Sequence, residues 1–359
     1  MLEASSVAAG SSGKGGGFIA SWATPECIAP LSFDLHRKLA AEHDGAKAWG
    51  FRTVYAAEVK LEAAHTSSSS SSASRDNHSS PDQWPSNLDW LIPDSVRDYN
   101  EMGTPANSGQ VHPFLFTTRL AELAERKGVE IIPGRATAIN YRDDMSRVVS
   151  VSYTTSQGEQ TTIGATDVLV AAGPWSSRLL SQVKLQTPKG HSIVIKPSRD
   201  TISPYILFAE ISNIPSGTSL SPDIYPRPPD ALNGFETIYA SGPDCYDTPL
   251  PELASDTIVE TDRRDDVWRA VSSVSREIRD GEVMTVQACY KAQIRKHGDE
   301  DETGPMVGPL DVGGLWLATG LDEWGVQNGP GVGLVMSEML LEGRASSADV
   351  GPLDPKLWM

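Results

Sequence analysis

The chain has 359 residues, enough for two cores or one large two-lobed unit. Hydrophobic residues make up 39% and charged residues 21%, which supports a buried core and argues against global disorder. A formal net charge of −17 repels phosphate backbones and anionic lipid, so nucleic acid and membrane surfaces are not the expected partners.

The three cysteines, Cys27, Cys245 and Cys289, form no C-x-x-C pair, and the histidines do not cluster. Neither a disulfide framework nor a structural zinc site is expected, and a reducing compartment is. No apolar run approaches the roughly 18 residues of a membrane span. The N-terminus lacks a basic region followed by an apolar one, so the expectation is a soluble, intracellular, cytoplasmic protein.

Met1-Leu2-Glu3 reads as the end of a strand and runs into the glycine-rich "GSSGKGGG" at 10–17. "LSFDLHRKLAAEH" (31–43) places Leu31, Leu35 and Leu39 at helical spacing, with Phe33 and Ala40 beside them. "WGFRTVYAAEVKLEAA" (49–64) alternates as a strand or hairpin. The serine-rich tract that follows, 65–82, has almost nothing to bury and reads as a disordered surface insertion.

In 110–142, Pro113 opens a helix with an apolar face of Phe116, Leu120 and Leu123, Gly128 closes it, and "VEIIPG" follows as a buried strand. Residues 147–173 give a strand, a polar turn around Gly158, a short strand, and an apolar strand ending at Gly173, of the kind buried on both faces. From 189 to 296 short strand-like runs, prolines and aromatics dominate, with one helix at 265–281. This texture predicts a second, antiparallel domain. Residues 314–343 return to strand, glycine-rich turn and helix, so the first domain is discontinuous.

Three glycine-bearing segments carry the chemistry. "GSSGKGGG" can wrap a pyrophosphate with backbone N–H groups, aided by Ser11, Ser12 and Lys14, or it is a linker. "VLVAAGPWSSRLL" (168–180) ends a strand with Ala171, Ala172 and Gly173, small enough for a ligand to approach the backbone, or it is a plain turn. In "WLATGLDEWGVQNGPGVGLVMSEML" (316–340) a buried strand ends at Gly320, and Gly329-Pro330-Gly331 begins a helix whose positive dipole end suits a flavin's N1–C2=O edge. A glycine-packed helix start without a ligand is the other reading.

In this order and spacing, "LEASSVAAGSSGKGGGF", "HPFLFTTRLAELAERKGVEI", "DVLVAAGPWSS" and "GPMVGP…GLWLATGLDEWGVQNGPGVG" resemble the FAD-dependent oxidoreductase family that includes D-amino acid oxidase, glycine oxidase and sarcosine oxidase. The likeness spans the chain and is nearest to fungal members. It implies an α/β architecture, with a Rossmann-like, three-layer FAD-binding domain and a second, mixed or antiparallel sheet domain for substrate. The family's first strand, G-x-G-x-x-G turn and helix have no counterpart, so the chain resembles the family with that unit removed. The implied division gives 1–48, 106–187 and 303–345 to FAD, 49–105 and 188–302 to substrate, and 346–359 to a tail.

By the same resemblance, Glu3 binds the adenosine ribose, and Ser12, Lys14, Gly15 and Gly16 lie along the pyrophosphate and ribityl chain. Ala136 and Thr137 touch adenine, while Ala172, Gly173 and Trp175 pack on the adenosine half. Gly320, Gly325, Val326, Gly329 and Gly331 line the flavin ring. Amine-oxidising members hold a substrate carboxylate with a cation, commonly an arginine shortly after a strand. Here "ACYKAQIRK" offers Lys291, with Arg295 following, and lysine is a point charge without the guanidinium fork. Lys291 reads equally as a solvated strand residue. Tyr290, His191 and Trp324 are pocket walls or simply packed, and acid-rich 297–305 near the pocket mouth disfavours anionic substrates.

The expected reaction is hydride transfer from a C–H beside an amine to flavin N5, with oxygen as acceptor, on a small amine or amino acid. The rival reading is a catalytically inactive relative that works through protein interaction or trafficking. A nicotinamide enzyme fits less well, because the C-terminal glycine turn has no place in that fold.

Overall fold

The computed structural model describes residues 1–64, 84–214, 217, 219–296 and 299–359, with backbone alone at 296 and 299–302. The serine-rich tract 65–82 therefore lies outside the described residues. So do most of the side chains of the acid-rich loop.

Among the described residues, one seven-stranded sheet dominates the middle of the chain. Its order is Glu282–Tyr290, Lys189–Lys196, Thr237–Ser241, Asp223–Arg227, Tyr205–Ser212, Tyr55–Glu62, Val96–Gly103. The sheet is mixed, because Tyr205–Ser212 runs parallel to Tyr55–Glu62 while the other neighbours are antiparallel. Its central strands are apolar on both sides, and period-two alternation sorts them into two cores. Val59, Ile193, Ile195, Leu207, Ile224 and Ile238 face the helix Thr261–Ser272, with Val267, Ala270 and Val271 opposite. Val194, Ile206, Phe208, Tyr225 and Tyr239 face the other way and meet Phe18, Trp22 and Trp324.

Two smaller sheets each carry a further parallel pair. Leu2–Glu3 runs parallel to Ile132–Tyr141, which continues antiparallel through Val148–Thr155 to Gln160–Gly164. Val168–Val170 runs parallel to Leu315–Thr319, with Met306–Pro309 on the far side. Leu2–Glu3 and Val168–Val170 are edge strands, which corrects two expectations. Leu169 is 41% exposed, so this strand is not buried on both faces, and Val129 at 43% precedes the strand at 132 without entering a core.

The helix Ala29–Glu42 also departs from its pattern. Leu31, Leu35 and Leu39 are only half-buried, whereas Ala29, Ser32, Phe33, His36 and Ala40 form the buried face. The reason lies in its partner, the helix Gly325–Glu342. That helix starts four residues earlier than the glycine pattern predicts and contains Pro330 in its interior. Pro330 has no N–H for the carbonyl one turn back, at Val326, and would leave it unpaired. His36 Nε2 donates to that carbonyl at 2.9 Å. One turn earlier on the same face, Ser32 Oγ accepts from Gly331 N–H at 2.9 Å and donates to the Asn328 carbonyl at 3.1 Å. Hydrophobicity predicted the wrong stripe because this contact is made by polar side chains that repair a proline break.

Candidate active site

The glycine-rich segment folds as a short helix, Ser11–Lys14, between extended glycines. That helix touches Gly325–Glu342, the helix Pro113–Arg126 and the strand Glu282–Tyr290. Two of the three glycine-bearing segments therefore meet. The third is joined through Thr319, whose Oγ1 donates to the Gly173 carbonyl at 3.1 Å and lies 3.3 Å from Ser176 Oγ.

The glycines divide into two kinds. A Cβ on Gly16 would overlap the Tyr225 ring, one on Gly17 the Val111 carbonyl, and one on Gly331 the Ser32 hydroxyl, so these positions serve packing between elements. By contrast, a Cβ on Gly10, Gly173 or Gly329 would meet nothing within 4 Å, and one on Gly325 only Leu321 Cβ at 3.9 Å. Surface turns such as Gly128 are open in the same way. What distinguishes Gly10, Gly173 and Gly329 is their place, after the carboxyl ends of parallel strands or in the first turns of a helix, where nucleotides bind. Gly173 has φ +52° and Gly320 φ +79°, left-handed conformations that glycine adopts without strain.

Glu3 ends its strand, and its Oε1 accepts from Ser5 N–H at 2.9 Å. Ser12 is exposed, and its carbonyl accepts from Thr117 Oγ1. Lys14 Nζ donates to the Ala288 carbonyl at 3.0 Å. The carbonyls of Gly15 and Gly16 accept from Arg227 Nη2 at 2.6 and 3.2 Å. Ala136 and Thr137 lie at a bulge in Ile132–Tyr141, where Thr137 Oγ1 donates to the Ser152 carbonyl. Ala172 is half-buried, and Trp175 Nε1 donates to the Pro251 carbonyl at 2.8 Å. The turns before and within the C-terminal helix are tied down by Gln327, which accepts from Ala20 N–H and donates to the Ala29 carbonyl, and by Asn328, which donates to the Thr24 carbonyl.

The substrate-side residues separate. Trp324 stands in a cluster of rings with Phe18, Trp22, Phe208 and Tyr225, at centroid distances between 5.6 and 6.4 Å. Tyr290 and His191 project from the opposite face of the sheet, beside Lys189. There Glu260 bridges Lys189 Nζ, at 2.5 Å, and His191 Nε2, fixing the start of Thr261–Ser272 against the sheet. Burial pushes the His191 imidazole down against the pull of Glu260. Burial raises the Glu260 carboxyl, yet Lys189 and His191 carry it net downward. Arg295 is exposed and donates to Gln186 Oε1 at 3.2 Å.

Lys291 is near the ring cluster, but its charge is already matched. Nζ lies 2.6 Å from Asp244 Oδ2 and 2.8 Å from Glu323 Oε1. Burial would lower its pKa, and the two carboxylates reverse that into a rise.

Three residues of the same face have no place in the sequence reading: Asp223, Tyr225 and Arg227. They sit at period two on Asp223–Arg227, within a stretch whose prolines mask the alternation. Asp223 pairs across the sheet with Phe208 and Ser241. Burial first, then Glu323, pushes its carboxyl up to about 7, against the pull of Lys291. Arg227 is buried, with its guanidinium 4.9 Å from the Tyr239 centroid.

Open glycines beside parallel strand ends, a carboxylate, Glu3, at the end of the first strand and a ring-lined sheet face fit the frame of a flavin-dependent oxidoreductase. Residues 1–339 match the family of FAD dependent oxidoreductases (DAO), and the chain belongs to that family. FAD is that family's cofactor. "Putative oxidoreductase C1F5.03c" of Schizosaccharomyces pombe is 29% identical over 371 residues, covering 99% of this chain and 89% of that protein. Among solved structures, glycine oxidase from Geobacillus kaustophilus superposes with a TM-score of 0.68 at 16% identity, over 98% of this chain and 90% of that one. Iminodiacetate oxidase from Chelativorans sp. BNC1 gives 0.69 at 14% identity, over 98% and 91%. These likenesses show that the fold is the mixed α/β FAD-binding fold of such oxidases. Among the described residues no group of side chains could hold a metal ion, and no helix is long and apolar enough to cross a membrane.

Proposed function

We propose that this chain oxidises the C–H bond beside an amine nitrogen and that oxygen is the final acceptor. The substrate loses a hydride and a proton to become an imine, which water hydrolyses to a carbonyl compound and an amine; two electrons and two protons leave with oxygen as hydrogen peroxide. FAD supplies the two-electron carrier when bound. The protein's part is to place the substrate C–H and to exclude water.

The observation that carries this reading is the meeting of Ser11–Lys14 with Gly325–Glu342 next to the ring-lined face of the seven-stranded sheet. In this reading Glu3 takes the ribose hydroxyls, and Ser12, Lys14 and Gly15 follow the phosphates. Gly173 and Trp175 flank the adenosine half, with Ala136 and Thr137 toward adenine. Gly320, Gly325, Val326 and Gly329 border the ring, while Gly16 and Gly331 let the elements close up. Segments 1–48, 106–187 and 303–345 form the cofactor portion, and 49–105 and 188–302 form the substrate portion. The names of the two solved oxidases, glycine oxidase and iminodiacetate oxidase, support an amine as the reacting group.

The test is anaerobic mixing of the FAD-loaded protein with a panel of amines and amino acids. Bleaching of the flavin band by one of them, with peroxide on re-aeration, is the expected result. Bound flavin that no amine or amino acid reduces would overturn the proposal and favour an interaction role.

A further inference from the structure

The two smaller sheets are joined differently at their two ends. Where Val148–Thr155 and Leu315–Thr319 begin, Val148 N–H donates to the Gly313 carbonyl and Gly313 N–H to the Ser146 carbonyl, each at 3.0 Å. At the far end Ile132–Tyr141 begins and Val168–Val170 runs out into Gly173. There the short helix Ser176–Leu179 lies beside Ile132–Tyr141, yet among the described residues no backbone hydrogen bond crosses between the sheets. Sheets hinged at one end keep a fixed gap at the other only if something else ties them.

That tie is a third segment. Between the strand Thr237–Ser241 and the helix Thr261–Ser272 the chain crosses to the smaller sheets as a strap, and four of its successive carbonyls accept side-chain hydrogen bonds. Tyr290 Oη donates to Pro249 at 2.9 Å, and Arg178 Nη2 donates to Leu250 and to Pro251, each at 2.9 Å. Trp175 Nε1 also reaches Pro251, and Arg178 Nη1 donates to Glu252 at 3.1 Å. The Glu252 carboxylate turns to the other sheet, with Oε1 2.6 Å from Arg135 Nη1. Pro249 and Pro251 fix φ and carry no N–H, so the stretch is stiff and rich in acceptors. The ends of the strap are anchored on the seven-stranded sheet, by paired backbone bonds between Cys245 and Lys189 and by Glu260 on Lys189 and His191.

We propose that residues 250–252 are a clamp that sets the gap between the two smaller sheets and so retains the adenosine half of FAD, with Arg178 as the positioning residue that holds it. The inference rests on the placement of adenosine between Gly173 and Ala136-Thr137 and names what keeps that site closed. Arg135 is next to Ala136, and Trp175 and Arg178 follow Gly173, so the strap grips both walls. Walls held at their bound spacing bind more tightly, because the ligand spends less free energy ordering them. The exposed Arg135–Glu252 pair contributes little by itself. Arg178 carries the larger share, through three charge-assisted bonds to carbonyls.

The experiment titrates the full chain, stripped of FAD, with FAD by flavin fluorescence. Arg178→Gln should weaken FAD about tenfold, and Arg178→Lys should recover part of the loss. Arg269→Gln removes the same charge from an exposed site on Thr261–Ser272 and should bind FAD as the wild type does. At saturating FAD the visible spectrum of Arg178→Gln should match that of the wild type, because the flavin ring is at the other end of the cofactor. Circular dichroism establishes that each variant is folded. The wild type alone supplies a second readout: bound FAD should slow cleavage after Glu252 by a glutamate-specific protease severalfold.

Unchanged FAD affinity in Arg178→Gln would overturn the inference, as would an equal loss in Arg269→Gln, an altered flavin spectrum at saturation, or cleavage at Glu252 that bound FAD does not slow. In each of these cases the amine-oxidation reading stands. If the clamp behaves as expected but no amine or amino acid reduces the flavin, that reading falls and the inference stands. A wild type that takes up no FAD would overturn both.

Discussion

Gly329 offers a direct way to separate a packing glycine from one that makes room for FAD. It lies in the second turn of Gly325–Glu342, exposed, with nothing within 4 Å of the position a Cβ would take. Glycine in a helix interior costs about 1 kcal/mol relative to alanine. Pro330 Cδ crowds a Cβ on the preceding helical residue, which offsets that gain, so Gly329→Ala should leave the unfolding midpoint of protein stripped of FAD within about 2 °C of the wild type. Gly333, one turn further along the same stripe and equally open, is the control. With FAD present the two should diverge. A methyl group forced into a filled contact costs about 1–3 kcal/mol, so Gly329→Ala should lose roughly tenfold or more in FAD affinity while Gly333→Ala loses none. Thermal unfolding of the stripped protein and titration with FAD by flavin fluorescence measure both halves. Equal FAD affinities for the two variants would refute the assignment of Gly329 to the flavin border.

Ser32→Ala removes both bonds between Ser32 and the C-terminal helix and should cost about 1–3 kcal/mol in denaturant unfolding; a change within experimental error would show that the proline break is repaired some other way. Burial holds the His36 imidazole down to about 4 against its bonds to the backbone. The unfolded chain therefore takes up a proton near pH 6.5 that the folded chain refuses, and stability falls as pH drops from 6.5 toward 4. His36→Gln should flatten that slope, leaving the parts due to His191, which burial lowers, and His112, which burial and Arg227 push down to about 3. Asp223 acts in the opposite direction. Its carboxyl, raised to about 7 with Glu323, Tyr225, Tyr239, Ser241 and Lys291 around it, stays protonated in the folded chain while the unfolded chain ionises near 4. The cost grows from pH 4 to 7 and then levels off, so the midpoint of Asp223→Asn minus that of the wild type should rise over that window and stay constant above it. A flat difference would place Asp223 in water.

The parts legible in the sequence were those set by short-range rules. Pro113 and Gly128 bracket a helix observed at Pro113–Arg126, and the turn at Gly158 separates two observed strands. Strand-to-glycine transitions at 170–173 and 317–320 were visible because each is a local change of texture. What escaped depends on partners distant in sequence. Lys291 was legible as a cation shortly after a strand, but Asp244 and Glu323, which match its charge, come from two other segments. His191 and Tyr290 read as pocket walls on residue type alone, and the pairing of Lys189 with Tyr290 sets both on the far face. Asp223, Tyr225 and Arg227 alternate as a strand should, yet Pro222, Pro226 and Pro228 mask that alternation in a stretch legible only as proline-rich. Pro226 is tolerated because the strand still pairs on both sides through neighbouring residues.

The account stands most directly on the binding of FAD itself. Purified chain at stoichiometric concentration, mixed with FAD and passed through a sizing column, should elute with an oxidised-flavin band, and Gly329→Ala should elute with less. A colourless protein that gains no flavin from added FAD would contradict the account at its centre, because the open positions Gly10, Gly173 and Gly329 would then border nothing.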